Sequence, residues 1–210
     1  MQVWNATEPN GRWSVDAARA LREGGVVAVA TDTFYGLAAD CRSPQGIERV
    51  LAMKDRQLKN PLLLLVDDVK QIDIVANRGD ERLEALASDI WPGPLTVVLP
   101  ARGRLHPALV GSSGGVAVRL PDCPAPRRIA RELGAPITGT SANRTGAPPA
   151  LTVPSIDLPT ASLAGAVDSG AAPGGAPSTL VDLTCVPARI LREGAIPTHS
   201  VALSLDGRLV

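Results

Sequence analysis

Aromatic residues are scarce in this chain of 210 residues, which holds three tryptophans, one tyrosine and one phenylalanine. So few rings exclude the row of stacking platforms on which proteins hold single-stranded RNA or DNA. Net charge is lacking as well. Lys and Arg number 21 and Asp and Glu number 21, so no overall positive field draws in nucleic acid, although a local basic patch stays open. The cysteines Cys41, Cys123 and Cys185 are odd in number, widely spaced and free of any Cys-x-x-Cys pattern. Neither a disulfide framework nor a zinc site is indicated, and the three read as small buried hydrophobes. No apolar run approaches the ~18 residues of a membrane span, and the N-terminus lacks a basic segment leading into an apolar one. A cytoplasmic protein without membrane contact is expected. Asn5-Ala6-Thr7 matches a glycosylation acceptor, a pattern with meaning only in a secreted chain.

Several chemical signatures are missing too. There is no Gly-x-x-x-x-Gly-Lys phosphate loop, no Gly-x-Gly-x-x-Gly after a strand and no His-Glu-x-x-His, so any use of ATP lies outside the P-loop scheme. Gly111-Ser112-Ser113-Gly114-Gly115 fits the Gly-x-Ser-x-Gly pattern of a nucleophile elbow. That elbow needs a helix after it, whereas a strand is predicted here, and His106 and His199 sit in proline-flanked or terminal loops. The segment reads as a loop near a ligand.

The patterning predicts a single α/β domain with an open, twisted, mixed sheet and flanking helices, over residues 10–200, with a C-terminal tail at 201–210. A helix over 15–23 ends at Gly24-Gly25 and hands over to an apolar strand at 26–30. Ser43-Pro44 caps a second helix that carries Ile47, Val50 and Leu51 at helical spacing and ends at Lys54. Residues 61–66 form a continuous apolar run, expected as a central strand. Leu83, Leu86, Ala87 and Ile90 share one face of another helix. Trp91-Pro92-Gly93-Pro94 breaks the chain into a rigid corner. Strands follow at 95–99 and 116–120, then a helix at 125–133, the loop Ser141-Ala142-Asn143, a Gly/Ala/Pro-rich loop at 170–177, and strands at 178–183 and 189–191.

Thr31-Asp32-Thr33-Phe34-Tyr35-Gly36-Leu37 directly follows the buried strand, as a ligand-binding turn does. Lys54 and Arg56 close a helix where a cation also complements the macrodipole, but Asn60-Pro61 and a buried strand pin this segment against the sheet. Arg119 ends an apolar run, and a cation there needs an anionic partner: Asp122, Asp168 or a ligand carboxylate. Ser141 and Asn143 are good turn formers as well as donors. Arg192 and Glu193 can pair at a strand end. Cations with a hydroxyl/amide pair make a site for an anionic ligand.

Taken together, Thr31–Leu37, Lys54-x-Arg56, Asn60-Pro61-Leu62, Trp91-Pro92-Gly93-Pro94-Leu95-Thr96, Val116-Ala117-Val118-Arg119, Ser141-Ala142-Asn143, Ser178-Thr179 and Ile190-Leu191-Arg192-x-Gly194 resemble the YrdC/Sua5 (TsaC) family. The match runs in order over residues 15–200 and is similar to the short form, a single domain of the YrdC/DHBP-synthase-like type. The resemblance implies threonylcarbamoyl-AMP synthase activity: L-threonine, bicarbonate and ATP give threonylcarbamoyl-adenylate and pyrophosphate. The product serves N6-threonylcarbamoyladenosine at position 37 of tRNA through a downstream transferase complex.

By the same match, the catalytic positions are Lys54, Arg56, Ser141 and Asn143. ATP contacts fall on Arg56, Asn60, Gly115, Ser141, Pro149 and Arg192, and threonine contacts on Thr33, Arg119, Gly139 and Ser178. No metal ligands are implied, Mg2+ being carried with ATP. The chain departs from the family pattern at Ala30, Gln57 and Pro177, and the last replaces an acid that would sit beside Ser178. A weak contact with tRNA or double-stranded RNA stays open. The rival readings are an RNA-binding, ribosome-associated module without nucleotide turnover and a carbamoyl-transfer enzyme of the hydrogenase-maturation type.

Overall fold

The computed structural model describes residues 1–8, 11–54, 61–144, 146–159, 162–207 and 209. In chain order its first elements are β1 (Gln2–Asn5), α1 (Trp13–Arg22), β2 (Val27–Ala30), β3 (Tyr35–Ala38), α2 (Pro44–Met53), β4 (Leu64–Leu65), α3 (Glu81–Asp89) and β5 (Leu95–Pro100). There follow β6 (Gly115–Arg119), α4 (Pro124–Leu133), β7 (Ile137–Thr138), β8 (Thr140–Ser141), β9 (Gly165–Asp168), β10 (Thr179–Asp182), β11 (Arg189–Arg192) and α5 (Thr198–Ser204).

The strands are mixed, parallel and antiparallel, as expected, but they divide between two sheets instead of one. The first sheet has the order β1-β9-β2-β3-β8 and the second β11-β10-β5-β6-β4-β7. Gly139 joins β7 to β8, so the chain passes from one sheet to the other at a single residue. A glycine is needed there because a Cβ would lie 2.7 Å from Leu65 Cγ, well inside van der Waals contact. Every residue of β2 and β6 is buried, which accounts for their unbroken apolar character.

Local chemistry sets the helix ends. Ser43 Oγ accepts the Gly46 N–H at 3.1 Å with proline in the first turn of α2, and Asp80 Oδ1 accepts the Arg82 N–H at 2.9 Å at the start of α3. Helix α4 stops at Gly134, whose φ of 72° is the left-handed conformation glycine adopts freely. Helices α1 and α4 pack together, and the Arg128 guanidinium lies 4.8 Å over the Trp13 ring. Among the described residues no helix is long and apolar enough to cross a membrane.

Three expectations change. The run at 61–66 contributes only the pair Leu64–Leu65 to a ladder, between β6 and β7. Pro61 has no N–H, and the Leu62 N–H goes to the Ala108 carbonyl at 2.8 Å instead. The polar start is structured, since β1 pairs in parallel with β9. Within the expected C-terminal tail, Val201 and Leu205 share one face of the C-terminal helical stretch and are fully buried. Of the cysteines, Cys41 is buried while Cys123 and Cys185 are half-buried, and all are free thiols.

Candidate functional site

Between the two sheets lies a cavity of about 820 Å3. The first sheet and its loops contribute Thr31, Thr33, Tyr35, Gly139 and Ser141, and the second contributes Thr96, Gly115, Arg119, Ser178 and Arg192. The lining is rich in hydroxyls and carries two arginines. Among the described residues no Asp, Glu, His or Cys faces it. The cavity is therefore suited to anions, through guanidinium forks and neutral donors.

The loop after β2 is held by its own threonine. Thr31 Oγ1 accepts the N–H groups of Thr33 and Phe34, each at 3.2 Å, and lies 3.0 Å from Thr33 Oγ1. This is the local turn chemistry expected of threonine, and it buries Thr33 at the cavity wall. On the opposite sheet, Ser178 Oγ is 2.8 Å from Thr96 Oγ1. Arg192 donates to the Ser178 carbonyl from Nη2 at 2.8 Å.

Arg119 finds its anion, but the partner is neither Asp122 nor Asp168. Its Nη2 is 2.5 Å from Asp32 Oδ1, and its Nε donates to the Gly93 carbonyl at 3.1 Å. Asp122 is exposed, and Asp168 Oδ1 accepts the Gly170 N–H at 3.0 Å. The corner at Trp91–Pro94 thus presents the carbonyl that anchors this arginine. Nor do Arg192 and Glu193 pair, because Glu193 instead accepts the Thr198 N–H at 2.9 Å. Burial, and then the charge of Arg119, lowers the Arg192 pKa from its ordinary value. Arginine stays protonated regardless, so Arg119 and Arg192 both bring positive charge to the cavity wall.

Lys54 ends α2 and is buried. Its Nζ donates to the Ser141 carbonyl at 2.7 Å, the Asn143 carbonyl at 2.6 Å and Asn143 Oδ1 at 2.9 Å. Ser141 Oγ donates to Asn143 Oδ1 at 2.6 Å, and Asn143 Nδ2 donates to the Ala147 carbonyl. The expected trio of Lys54, Ser141 and Asn143 does come together, but only Ser141 faces the cavity; the lysine and Asn143 shape the loop behind it. Pro149 stands outside the cavity lining, beside Ala150, whose carbonyl accepts the Tyr35 N–H at 2.9 Å. Arg56 and Asn60 lie outside the described residues.

The Gly111–Gly115 segment closes a tight turn, Gly111 N–H to Gly115 carbonyl at 2.8 Å, and leads straight into β6. Ser112 and Ser113 line the cavity with no histidine beside them among the described residues. His106 is engaged elsewhere, its Nε2 lying 3.0 Å from Glu48 Oε1. A hydrolase triad is not built here. Thr96 and Asp32 were read from the sequence only as members of their motifs and given no role at the site. Thr96 carried a usable signal, a lone hydroxyl in an otherwise apolar strand, whereas Asp32 carried none beyond its place in the loop.

Known proteins share this fold. The Sua5/YciO/YrdC family model, described as telomere recombination, matches residues 19–194. A protein named threonylcarbamoyl-AMP synthase from Stutzerimonas stutzeri is 38% identical over 141 residues, which is 67% of this chain and 76% of that protein. One of the same name from Pyrococcus abyssi is 32% identical over 205 residues, 95% of this chain and 59% of its own length. The chain therefore spans less than two thirds of the archaeal relative. The crystal structure of P. abyssi Sua5 complexed with L-threonine superposes with a TM-score of 0.91 at 30% identity, covering 100% of this chain and 63% of that one. Since the family model matches residues 19–194, well over half of the sequence, the chain belongs to the Sua5/YciO/YrdC family.

Proposed function

We propose that the chain is a threonylcarbamoyl-AMP synthase, joining L-threonine, bicarbonate and ATP into threonylcarbamoyl-adenylate with release of pyrophosphate. One observation carries the reading: Arg119 and Arg192 converge from two strands on a cavity free of carboxylates among the described residues and ringed by hydroxyls. Every reactant brings an anionic group. The neutral threonine amine attacks the carbon of bicarbonate, water leaves, and a carbamate forms. A carbamate oxygen then attacks the α-phosphorus of ATP, and the bond to the β-phosphate oxygen breaks with the electron pair going to pyrophosphate. Such a sequence asks for alignment of anions and for donors where charge grows on phosphate oxygens, more than for a nucleophilic side chain.

In this reading Arg119 takes the amino-acid carboxylate, Thr33 and Ser178 hold its polar groups, and the backbone at Gly139 completes that end. Arg192 and Ser141 face the phosphates, with Lys54 and Asn143 keeping Ser141 in place. Gly115 lies at the cavity wall beside the nucleotide, and the motif match assigns Arg56, Asn60 and Pro149 to the nucleotide as well. Magnesium enters as part of the ATP substrate, since the donors around the cavity are hydroxyls, amides and cations and not a carboxylate set. The adenylate is a mixed anhydride, reactive enough for a downstream transferase to move its acyl group to tRNA.

Pyrophosphate release by the purified protein, with threonine and bicarbonate each present or omitted and the adenylate sought by mass spectrometry, tests the proposal. Release needing both substrates supports it. Release from ATP alone, or none with both present, overturns it.

A further inference from the structure

Asp32 sits in the tight loop after β2, and its side chain is 11% exposed against 4% for Arg119. The 2.5 Å approach of Arg119 Nη2 to Asp32 Oδ1 is an ion pair by distance. Yet neither Asp32 oxygen, nor Nη2, has a hydrogen-bond partner in acceptable alignment. The contact is thus one of charge against charge and not a two-pronged fork. Its position matters as much. Asp32 belongs to the wall of a second cavity, of about 680 Å3, whereas Arg119 belongs to the wall of the larger one, and Thr31 borders both. The pair is the partition between them.

Of the three guanidinium nitrogens, Nε is tied to the Gly93 carbonyl and Nη2 is drawn to Asp32. That leaves Nη1 as the third donor edge of a residue that lines the larger cavity. With Asp32 removed, nothing holds the plane at its Nη2 edge, and the charge of Arg119 stands uncompensated near Arg192. A buried charge that loses its partner re-orients or takes another, and either change spoils a geometry that depends on fork direction.

We infer that Asp32 is a positioning residue for the amino-acid substrate, acting through Arg119 by fixing which guanidinium edge is presented to the substrate carboxylate. The inference rests on the threonine reading above. It also fits the absence of an acid at Pro177, since Asp32 is turned to the arginine and not to the substrate amine.

The test is a double-mutant cycle on pyrophosphate release with Asp32→Asn, Arg119→Lys and the double variant, titrating threonine and ATP separately. Asp32→Asn is expected to raise the threonine KM about tenfold while the ATP KM stays within about twofold, and the double variant should be no worse than Arg119→Lys alone. A threonine KM within about twofold of the parent, or single effects that multiply in the double variant, overturns the inference. If thermal melts show Asp32→Asn unfolded, Asp32→Glu replaces it in the same cycle and is judged by the same non-additivity. A parent protein that releases no pyrophosphate with threonine sinks the functional reading itself. A working parent beside an indifferent Asp32→Asn sinks only this inference.

Discussion

The Lys54 ammonium stands 2.6 Å from the backbone carbonyl of Asn143 and 2.9 Å from the same residue's side-chain oxygen. With the Ser141 carbonyl at 2.7 Å, the lysine gathers the end of the loop that presents Ser141 to the cavity. In the proposed reading it acts on the loop, and through the loop on the ligand.

Lys54→Ala should therefore lose both activity and stability. The variant strips a charged donor from buried oxygens, at about 1.5–3 kcal/mol for such a hydrogen bond, so a fall in Tm of roughly 3–12 °C is expected. Pyrophosphate release should drop by about a hundredfold or more. A lysine serving only as a phosphate contact would leave Tm unchanged, and scanning calorimetry separates the two roles.

Arg119→Lys keeps the charge but loses the planar fork. It should raise the threonine KM by about tenfold or more and leave the ATP KM nearly unmoved. Steady-state titration of each substrate checks this. A change confined to ATP would reassign the residue to the nucleotide.

What could be read from the sequence follows the range of the forces involved. Helix α2 was legible because Ser43, Pro44 and the Ile47/Val50 spacing act within a few residues, and β6 because its apolar run is unbroken. The meeting of Lys54 with Ser141 and Asn143 was legible only through motif order, since those groups are 87 and 89 residues apart. β1 left no trace, for its ladder partner β9 begins at Gly165 and four residues beginning Gln2-Val3 have no pattern alone. The single-residue step between the sheets at Gly139 was not legible either, for the deciding fact there is the nearness of Leu65. Asp32 as counter-ion of Arg119 was hidden for the same reason, and Asp122, close to Arg119 in sequence, drew the expectation instead.

Gly139→Ala isolates that crossing point. Its Cβ would press on Leu65 Cγ at 2.7 Å, an overpacking that costs about 1–3 kcal/mol, and the same backbone borders the cavity. The variant should melt lower and bind threonine more weakly. Gly79→Ala, where nothing lies within 4 Å of the new methyl, is the matched control. Its stability should stay within about 1 kcal/mol of the parent. Equal melting of both variants would remove the steric argument.

Alkaline pH should destabilise the fold through groups held neutral in its interior. Burial, with Asp40 beside it, pushes the Cys41 thiol from an ordinary 9.0 up to about 12. Burial and then Asp168 raise the Tyr35 hydroxyl, which donates to the Gly170 carbonyl at 2.7 Å. In both cases the unfolded chain gives up its proton first, so the folded state binds more protons once the pH passes the group's ordinary value, 9.0 for the thiol and 10.0 for the phenol. Stability is then full below that point and falls as the pH climbs towards the raised value, by at most about 1.4 kcal/mol per pH unit for each group. Urea unfolding midpoints between about pH 8 and pH 10 should decline less steeply for Cys41→Ala than for the parent. Identical slopes would mean that the thiol ionises as readily inside the fold as outside it.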